Sequence, residues 1–361
     1  MKITRLGAIG AIALAGAFAL SSCAANEGGT GGETPSTLSG TLNGAGSSAQ
    51  GSAQEAWVAA FQTANPGVTI NYDPAGSGAG REQFIAGGVD WAGSDSALND
   101  DELASTFAAC APDTKAIDIP TYISPIAVIF NVEGVTDLNL DAETIAHIFK
   151  GDITKWNDPA IAAVNPGVTL PNTDIVVVHR SEGSGTTYIF ADYLAKVSPE
   201  WKAKVGVNNQ LSWPAGVGAK GSDGVTGQVK ATPGAIGYAE LTYALTNKLG
   251  YGSVENRAKK FVKASTESVT AAASAAAKQM PADFRVSITN ADGDAAYPIS
   301  SFTWLLLYEN PADKAQSKAM VDFMKWALKE GQKFAPDMGY APLPQAVVDL
   351  ELKALERIKT Q

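Results

Sequence analysis

The stretch His179–Phe190 reads HRSEGSGTTYIF. An apolar run, Ile175–Val178 (IVVV), precedes it. An apolar-periodic segment follows, in which Ile189, Phe190, Tyr193, Leu194 and Val197 share one helical face. The stretch is therefore the corner between a buried strand and an amphipathic helix. Into it are packed an arginine, a glutamate, two glycines and several small hydroxyls. Glycines let backbone approach a ligand closely, and the first N–H groups of a helix lack intrahelical partners. A corner with this composition suits an anion.

Two more corners share the pattern: Asn43–Ser48 (NGAGSS) and Ala75–Gly80 (AGSGAG), beside Glu182–Thr187 (EGSGTT). Around them strands and helices alternate. Ser39–Gly46 reads as a strand, and Ala53, Trp57, Ala60, Phe61 and Ala64 follow at helical spacing. Asn65–Gly67 (NPG) ends that helix, and Val68–Tyr72 alternates like a half-buried strand. A Gly/Ser turn leads to a short helix at Arg81–Gly88, then a strand end at Asp90–Asp95. Ser124–Asn131 is a buried strand. Asp141–Gly151 is a helix with Asp141 as N-cap and Gly151 as its stop. Late in the chain Phe302–Asn310 reads as a strand, and Ser268–Lys278 and Lys314–Lys329 as helices. This alternation predicts an α/β fold with a parallel or mixed sheet covered by helices. In such sheets ligands lie at strand C-terminal ends.

The chain has 361 residues, a length that suits two domains. Its 45% apolar and 18% charged content is globular. A net charge of −10 and the lack of a basic stripe argue against nucleic acid or anionic lipid surfaces as partners. Lys2 and Arg5 precede an apolar run, Leu6–Leu20, shorter than the roughly 20 residues of a membrane span. Small residues then lead to Cys23 in Leu20–Cys23 (LSSC), the pattern of a lipobox. Residues 1–22 are thus expected to be a lipoprotein signal peptide, with Cys23 lipidated and the mature chain anchored on the outer face of the cytoplasmic membrane. Residues 23–38, rich in Gly, Ser, Thr and Glu, form a flexible tether. Cys110 is then left without a disulfide partner and is expected to be a small buried residue. With His147 and His179 as the two histidines, no metal or cofactor is expected.

The three corners are not P-loops: GxxxxGK[ST] is absent and none carries a lysine, which disfavours nucleoside triphosphates. Arg180 offers a planar fork of donors suited to tetrahedral oxyanions. Two readings of it stand: a surface ion pair with Glu182, or a ligand-facing guanidinium that Glu182 orients. His179 stands where a phosphohydrolase would place a base, but a strand-end packing role suits it better. A binder of another oxyanion and a surface adhesin are further alternatives.

Several longer segments carry a resemblance: NGAGSSAQ (Asn43–Gln50), VTINYDPAGSGAG (Val68–Gly80), DWAGSDSAL (Asp90–Leu98), GDITKWNDPAIAAVNPGVTLP (Gly151–Pro171), IVVVHRSEGSGTT (Ile175–Thr187), WPAGVGAKGSDGV (Trp213–Val225), PGAIGYAE (Pro233–Glu240) and AYPISSFTWLLL (Ala296–Leu307). From about Leu42 to Val348 the chain resembles the substrate-binding proteins of high-affinity phosphate ABC transporters. The resemblance implies a two-lobed periplasmic-binding-protein-like fold of type II, with a ligand cleft between lobes and two hinge crossings. Lobe I would be residues 39–119 and 300–361, and lobe II residues 120–299. It implies a monomer that is not an enzyme, and that binds inorganic phosphate and passes it to membrane permease subunits. The family's phosphate ligands match Ser48, Ser77, Asp95, Arg180, Ser184, Gly185 and Thr186. Ser48 stands where threonine is frequent, Ala49 where phenylalanine is frequent, and the supporting acid is Glu182 where aspartate is common.

Asp95 is the informative member of that set. A carboxylate a few ångströms from an anion costs on the order of 4 kcal/mol at an effective dielectric near 20. Phosphate near neutral pH keeps a proton and can donate it to Asp95, which turns repulsion into a charge-assisted hydrogen bond. Sulfate has no proton to give.

Overall fold

The computed structural model describes residues 38–278 and 280–361. The expected signal peptide, Cys23 and all but the last residue of the tether lie outside the described residues. The chain opens with β1 (Gly40–Gly46), α1 (Gly51–Ala64), β2 (Val68–Asp73), α2 (Ser77–Ile85) and β3 (Trp91–Ser94), and β1 pairs in parallel with both β2 and β3. A short α3 (Asp100–Ala104) leads into the long β4 (Ala116–Asn131). Next come β5 (Asn139–Leu140), α4 (Ala142–Lys150), α5 (Pro159–Ala163), β6 (Val176–Arg180), α6 (Gly185–Val197), α7 (Pro199–Lys204), β7 (Val217–Ala219), α8 (Gly221–Ala231), β8 (Ala235–Glu240) and α9 (Leu241–Asn247). The chain continues through β9 (Gly250–Tyr251), β10 (Ser253–Glu255), β11 (Phe261–Lys263) and α10 (Thr266–Ala277), and finishes with β12 (Ser300–Tyr308), α11 (Lys314–Lys329) and α12 (Gln345–Leu355).

The nine-stranded main sheet runs β2-β1-β3-β12-β4-β8-β6-β7, with β9 also on β4. It is mixed: β6 is parallel to β7 and β8, while β12 is antiparallel to β3 and β4. Strand β4 joins its two halves. Ala116–Pro125 pair with β12, and Ile126–Asn131 pair with β8. The ladder between β4 and β12 shifts register at Thr303/Trp304, because Tyr122 faces Thr303 and Pro120 faces Trp304. Thr121 is thus the extra residue of a bulge, beside a proline that has no N–H to give a ladder.

Local chemistry accounts for many element ends. The Asp141 side chain accepts from Thr144 N at 2.9 Å, and α4 stops at Gly151 with φ 81°. Helix α11 spans Lys314–Lys329 as its spacing predicts. Two elements begin four or more residues before the position their sequence suggests. Helix α2 starts at Ser77, not Arg81, because Gly76 takes φ 107° and turns the chain at once into the helix. Strand β4 starts eight residues before Ser124, since Asp118 and Pro120 interrupt an otherwise apolar run that is buried throughout Ile117–Phe130. Cys110 is half-buried rather than buried, with a weak contact from Sγ to the Lys115 carbonyl at 3.7 Å.

Asp118 is 3% exposed and accepts the Leu98 N–H at 2.9 Å. Burial pushes its carboxyl up to about 7, against the pull of the Leu98 N–H and the Arg285 and Arg81 charges. Unfolded, the group ionises near 3.8. Its contribution to stability is therefore whole below about pH 4 and is lost as pH rises toward 7. Asp118→Asn is expected to flatten this slope. Between pH 5 and pH 8 the variant should lose about 2–3 kcal/mol less unfolding free energy than the parent, read from urea transitions. Equal pH dependence in the two proteins would contradict it.

Candidate functional site

The three glycine-rich corners occupy the starts of α1, α2 and α6, and they converge. Gly78 N donates to Gly183 O at 3.0 Å, which ties the start of α2 to the corner before α6. Ser77 is 1% exposed, and its Oγ accepts from Asp95 N at 3.3 Å. Ser184 is the N-cap of α6, its Oγ accepting from Thr187 N at 3.2 Å. Gly185 packs so closely on Ser77 and Asp95 that a Cβ there would lie 2.7 Å from Ser77 Oγ. Thr186 Oγ1 donates to Asp95 Oδ2 at 3.4 Å. On the far side, Ser48 Oγ accepts from Ser222 N at 3.1 Å and lies 3.2 Å from Ser222 Oγ. The Tyr243 hydroxyl donates to the Ser48 carbonyl.

Arg180 ends β6 and is buried, so its pair with Glu182 is not a surface ion pair. Nε donates to Glu182 Oε1 at 2.8 Å, Nη2 reaches the same oxygen, and Gly221 N adds a third donor at 3.0 Å. Burial opposes ionisation of Glu182, but the hydrogen bonds and charge of Arg180, with the Gly221 N–H, hold its carboxyl below its ordinary value. For Asp95 the balance falls the other way. Burial pushes the carboxyl up, and the Ser47 and Thr303 hydroxyls, the Arg180 charge and Thr186 offset this only in part. The result is a buried cluster of hydroxyl and backbone donors in which Arg180, held by Glu182, lies close enough to Asp95 to act on its charge.

Ala49 uses its backbone internally: its N–H donates to Ser47 Oγ at 3.1 Å, and its carbonyl accepts from the Tyr340 hydroxyl at 3.2 Å. His179 stacks on Trp213 at 4.7 Å and donates from Nδ1 to the Arg180 carbonyl, a packing role. Sequence reasoning missed Ser47, Ser222 and Thr303. Ser47 stands inside NGAGSS, and Ser222 belongs to a fourth glycine-serine corner, KGSDGV, at the start of α8. Thr303 carries no local signal. Also missed was Arg81, a second buried cation, in a cavity of about 460 Å³ that Asp95, Asn209 and Arg285 also line. Its guanidinium is engaged by Glu102 at 2.9 Å and Ser96 Oγ at 2.6 Å. Among the described residues, His147, Asp152 and Glu200 come within common ligand distance of one another. The Lys150 ammonium contacts both acids, 2.7 Å from Asp152, and supplies the positive charge there.

A family profile described as "PBP superfamily domain" matches residues 31–330. The phosphate-binding protein PstS of Xylella fastidiosa (strain 9a5c) is 43% identical over 294 residues, covering 81% of this chain and 78% of that protein. The chain belongs to the PstS family of the PBP superfamily. A second PstS relative, from Pasteurella multocida (strain Pm70), is 38% identical over 310 residues, covering 85% of this chain and 88% of its own. The solved phosphate-binding protein from Stenotrophomonas maltophilia superposes with a TM-score of 0.68 at 19% identity, covering 87% of this chain and 93% of that one. The likeness at that identity bears on fold alone, and it agrees with the sheet described above. This PstS-family chain has the mixed α/β fold of the type II periplasmic binding proteins. No helix among the described residues is long and apolar enough to cross a membrane.

Proposed function

We propose that this protein binds inorganic phosphate in the cleft, outside the cytoplasmic membrane, and delivers it to the permease subunits of an ABC-type importer. In this reading Ser48, Ser77, Arg180, Ser184, Gly185 and Thr186 donate to the phosphate oxygens, and Asp95 accepts the proton that phosphate retains. Ala49 and Glu182 support the ligands. Lipid on Cys23 anchors a monomer, and the mass of the purified mature chain tests that anchor. Residues 39–119 and 300–361 form lobe I and residues 120–299 lobe II. The exchange of β12 for β8 along β4 supports one crossing there.

The observation that carries the proposal is a buried carboxylate, Asp95, set among donors and facing a buried arginine. Donors alone would accept any tetrahedral oxyanion. A carboxylate among them rejects an anion with no hydrogen, because two acceptors would face each other in a desolvated site. Tryptophan fluorescence titration with phosphate and sulfate tests this. Asp95→Asn is expected to shrink the preference for phosphate by about 30-fold or more, since a neutral amide can donate to sulfate. A preference that stays put would exclude the proton-reading role of Asp95.

A further inference from the structure

We propose that Ser47 and Thr303 are positioning residues that force Asp95 to present acceptors at both of its oxygens, and so set which protonation state of a tetrahedral anion the cleft admits. This rests on the reading of Asp95 given above and extends it to two residues outside the ligand set.

The directions of the hydroxyl protons are imposed by neighbours. Ser47 Oγ accepts from the backbone N–H of Ala49 at 3.1 Å and of Gln50 at 3.3 Å. A hydroxyl has one proton and two lone pairs. With its lone pairs taken by donors that cannot reverse, Ser47 turns its proton to Asp95 Oδ2, 2.6 Å away. Thr303 is governed similarly. The Gln50 amide donates from Nε2 to the Trp304 carbonyl at 2.9 Å, which fixes the amide's orientation, and the same nitrogen donates to Thr303 Oγ1 at 2.5 Å. Thr303 Oγ1 then has two acceptors in reach, Asp95 Oδ1 at 2.9 Å and the Ser94 carbonyl at 3.3 Å, and the shorter contact, to a carboxylate, takes its proton. The bulge at Thr121 marks the register shift beside Thr303, and Thr121 Oγ1 bonds the Thr303 carbonyl at 3.2 Å.

Both carboxyl oxygens thus accept hydrogen bonds from the protein, Oδ2 also from Thr186 Oγ1 at 3.4 Å, and these bonds favour the ionised, accepting form over the neutral one. Burial would favour a neutral Asp95. A neutral Asp95 would be a donor, and the cleft would then take an unprotonated dianion. The other titratable or charged groups that face Asp95 are Arg180 of β6, Tyr72 of β2, Tyr122 of β4 and Glu240 of β8. Burial pushes the Tyr72 and Tyr122 hydroxyls above their ordinary value near 10, so they stay neutral from pH 5 to pH 8, and it pushes the Glu240 carboxyl well upward. Arg180 is charged, as are Arg81 of α2 and Arg285, which with Asp100 and Asp192 line the cavity that Asp95 also lines, and all of these are common to every variant below.

The test uses the whole protein with Thr303→Val, Ser47→Ala and Thr303→Ser, and with Asp95→Asn as reference. Phosphate and sulfate affinities are measured by calorimetry from pH 5 to pH 8. The Asp95 carboxyl-carbon resonance, identified by its absence in Asp95→Asn, is titrated without ligand. In Thr303→Val and Ser47→Ala the Asp95 midpoint is expected to rise by at least about one pH unit. Sulfate affinity should then climb about tenfold for each unit of falling pH across the new range. Asp95→Asn should take sulfate without that slope, and Thr303→Ser should behave as the parent. An Asp95 midpoint and a phosphate-to-sulfate ratio that both track the parent in the two deletions would overturn the proposal. So would Thr303→Ser matching Thr303→Val, since the methyl and not the hydroxyl would then matter. If Thr303→Val does not fold, Ser47→Ala decides alone. Should the parent bind no phosphate, the functional reading falls, while the ligand-free carboxyl titration still decides the wiring.

Discussion

Arg180→Ala is expected to raise the dissociation constant for phosphate by roughly 100- to 1,000-fold, because truncating one partner of a buried charged pair costs about 3–4 kcal/mol. Two losses combine. The forked donor that meets the anion disappears, and Glu182 keeps its negative charge near the ligand with the Gly221 N–H at 3.0 Å and a long contact from the Ser181 hydroxyl at 3.4 Å to oppose it. Arg180→Ala combined with Glu182→Gln should therefore bind better than Arg180→Ala alone. Arg180→Lys should recover only part of the affinity, since an ammonium cannot serve Glu182 and the ligand with one planar fork. Calorimetric titration of the four proteins checks the scheme. A loss below about tenfold in Arg180→Ala would place the guanidinium away from the ligand.

Gly185→Ala is expected to be nearly as damaging, for a geometric reason. A Cβ at Gly185 would stand 2.7 Å from Ser77 Oγ and 2.8 Å from both the backbone N and the Cβ of Asp95. Ser77 Oγ can rotate away, but N and Cβ of Asp95 are fixed by the backbone, so the start of α6 must withdraw from Asp95. Alanine suits the first turn of a helix, and α6 itself should form normally. The effect should fall on binding: about a hundredfold or more in phosphate affinity, as expected when donors are displaced by a sizeable fraction of an ångström, with the melting temperature little changed. Gly183→Ala serves as the milder comparison, because its Cβ would meet Gly78 Cα at 3.2 Å. Unaltered affinity in Gly185→Ala would mean that these corners do not close on the ligand as the structure brings them together.

Sequence by itself determined those features whose physics is local. Asp141 as a cap, Gly151 as a stop and α11 from its spacing all depend on hydrogen bonds or side-chain faces within a few residues. The three glycine-hydroxyl corners were legible for the same reason, since a strand, a turn and a helix start are contiguous in the chain. The early start of β4 was hidden because Asp118 and Pro120 break its apolar run, and only packing on both sides buries them. Which corner faces which was decided by tertiary structure alone. Ser48 meets Ser222 across 174 residues, and Asp95 meets Thr303 across 208. A hydroxyl carries no fixed direction in the sequence. It becomes a committed donor only when folding brings other donors to its lone pairs, as Gln50 does for Thr303.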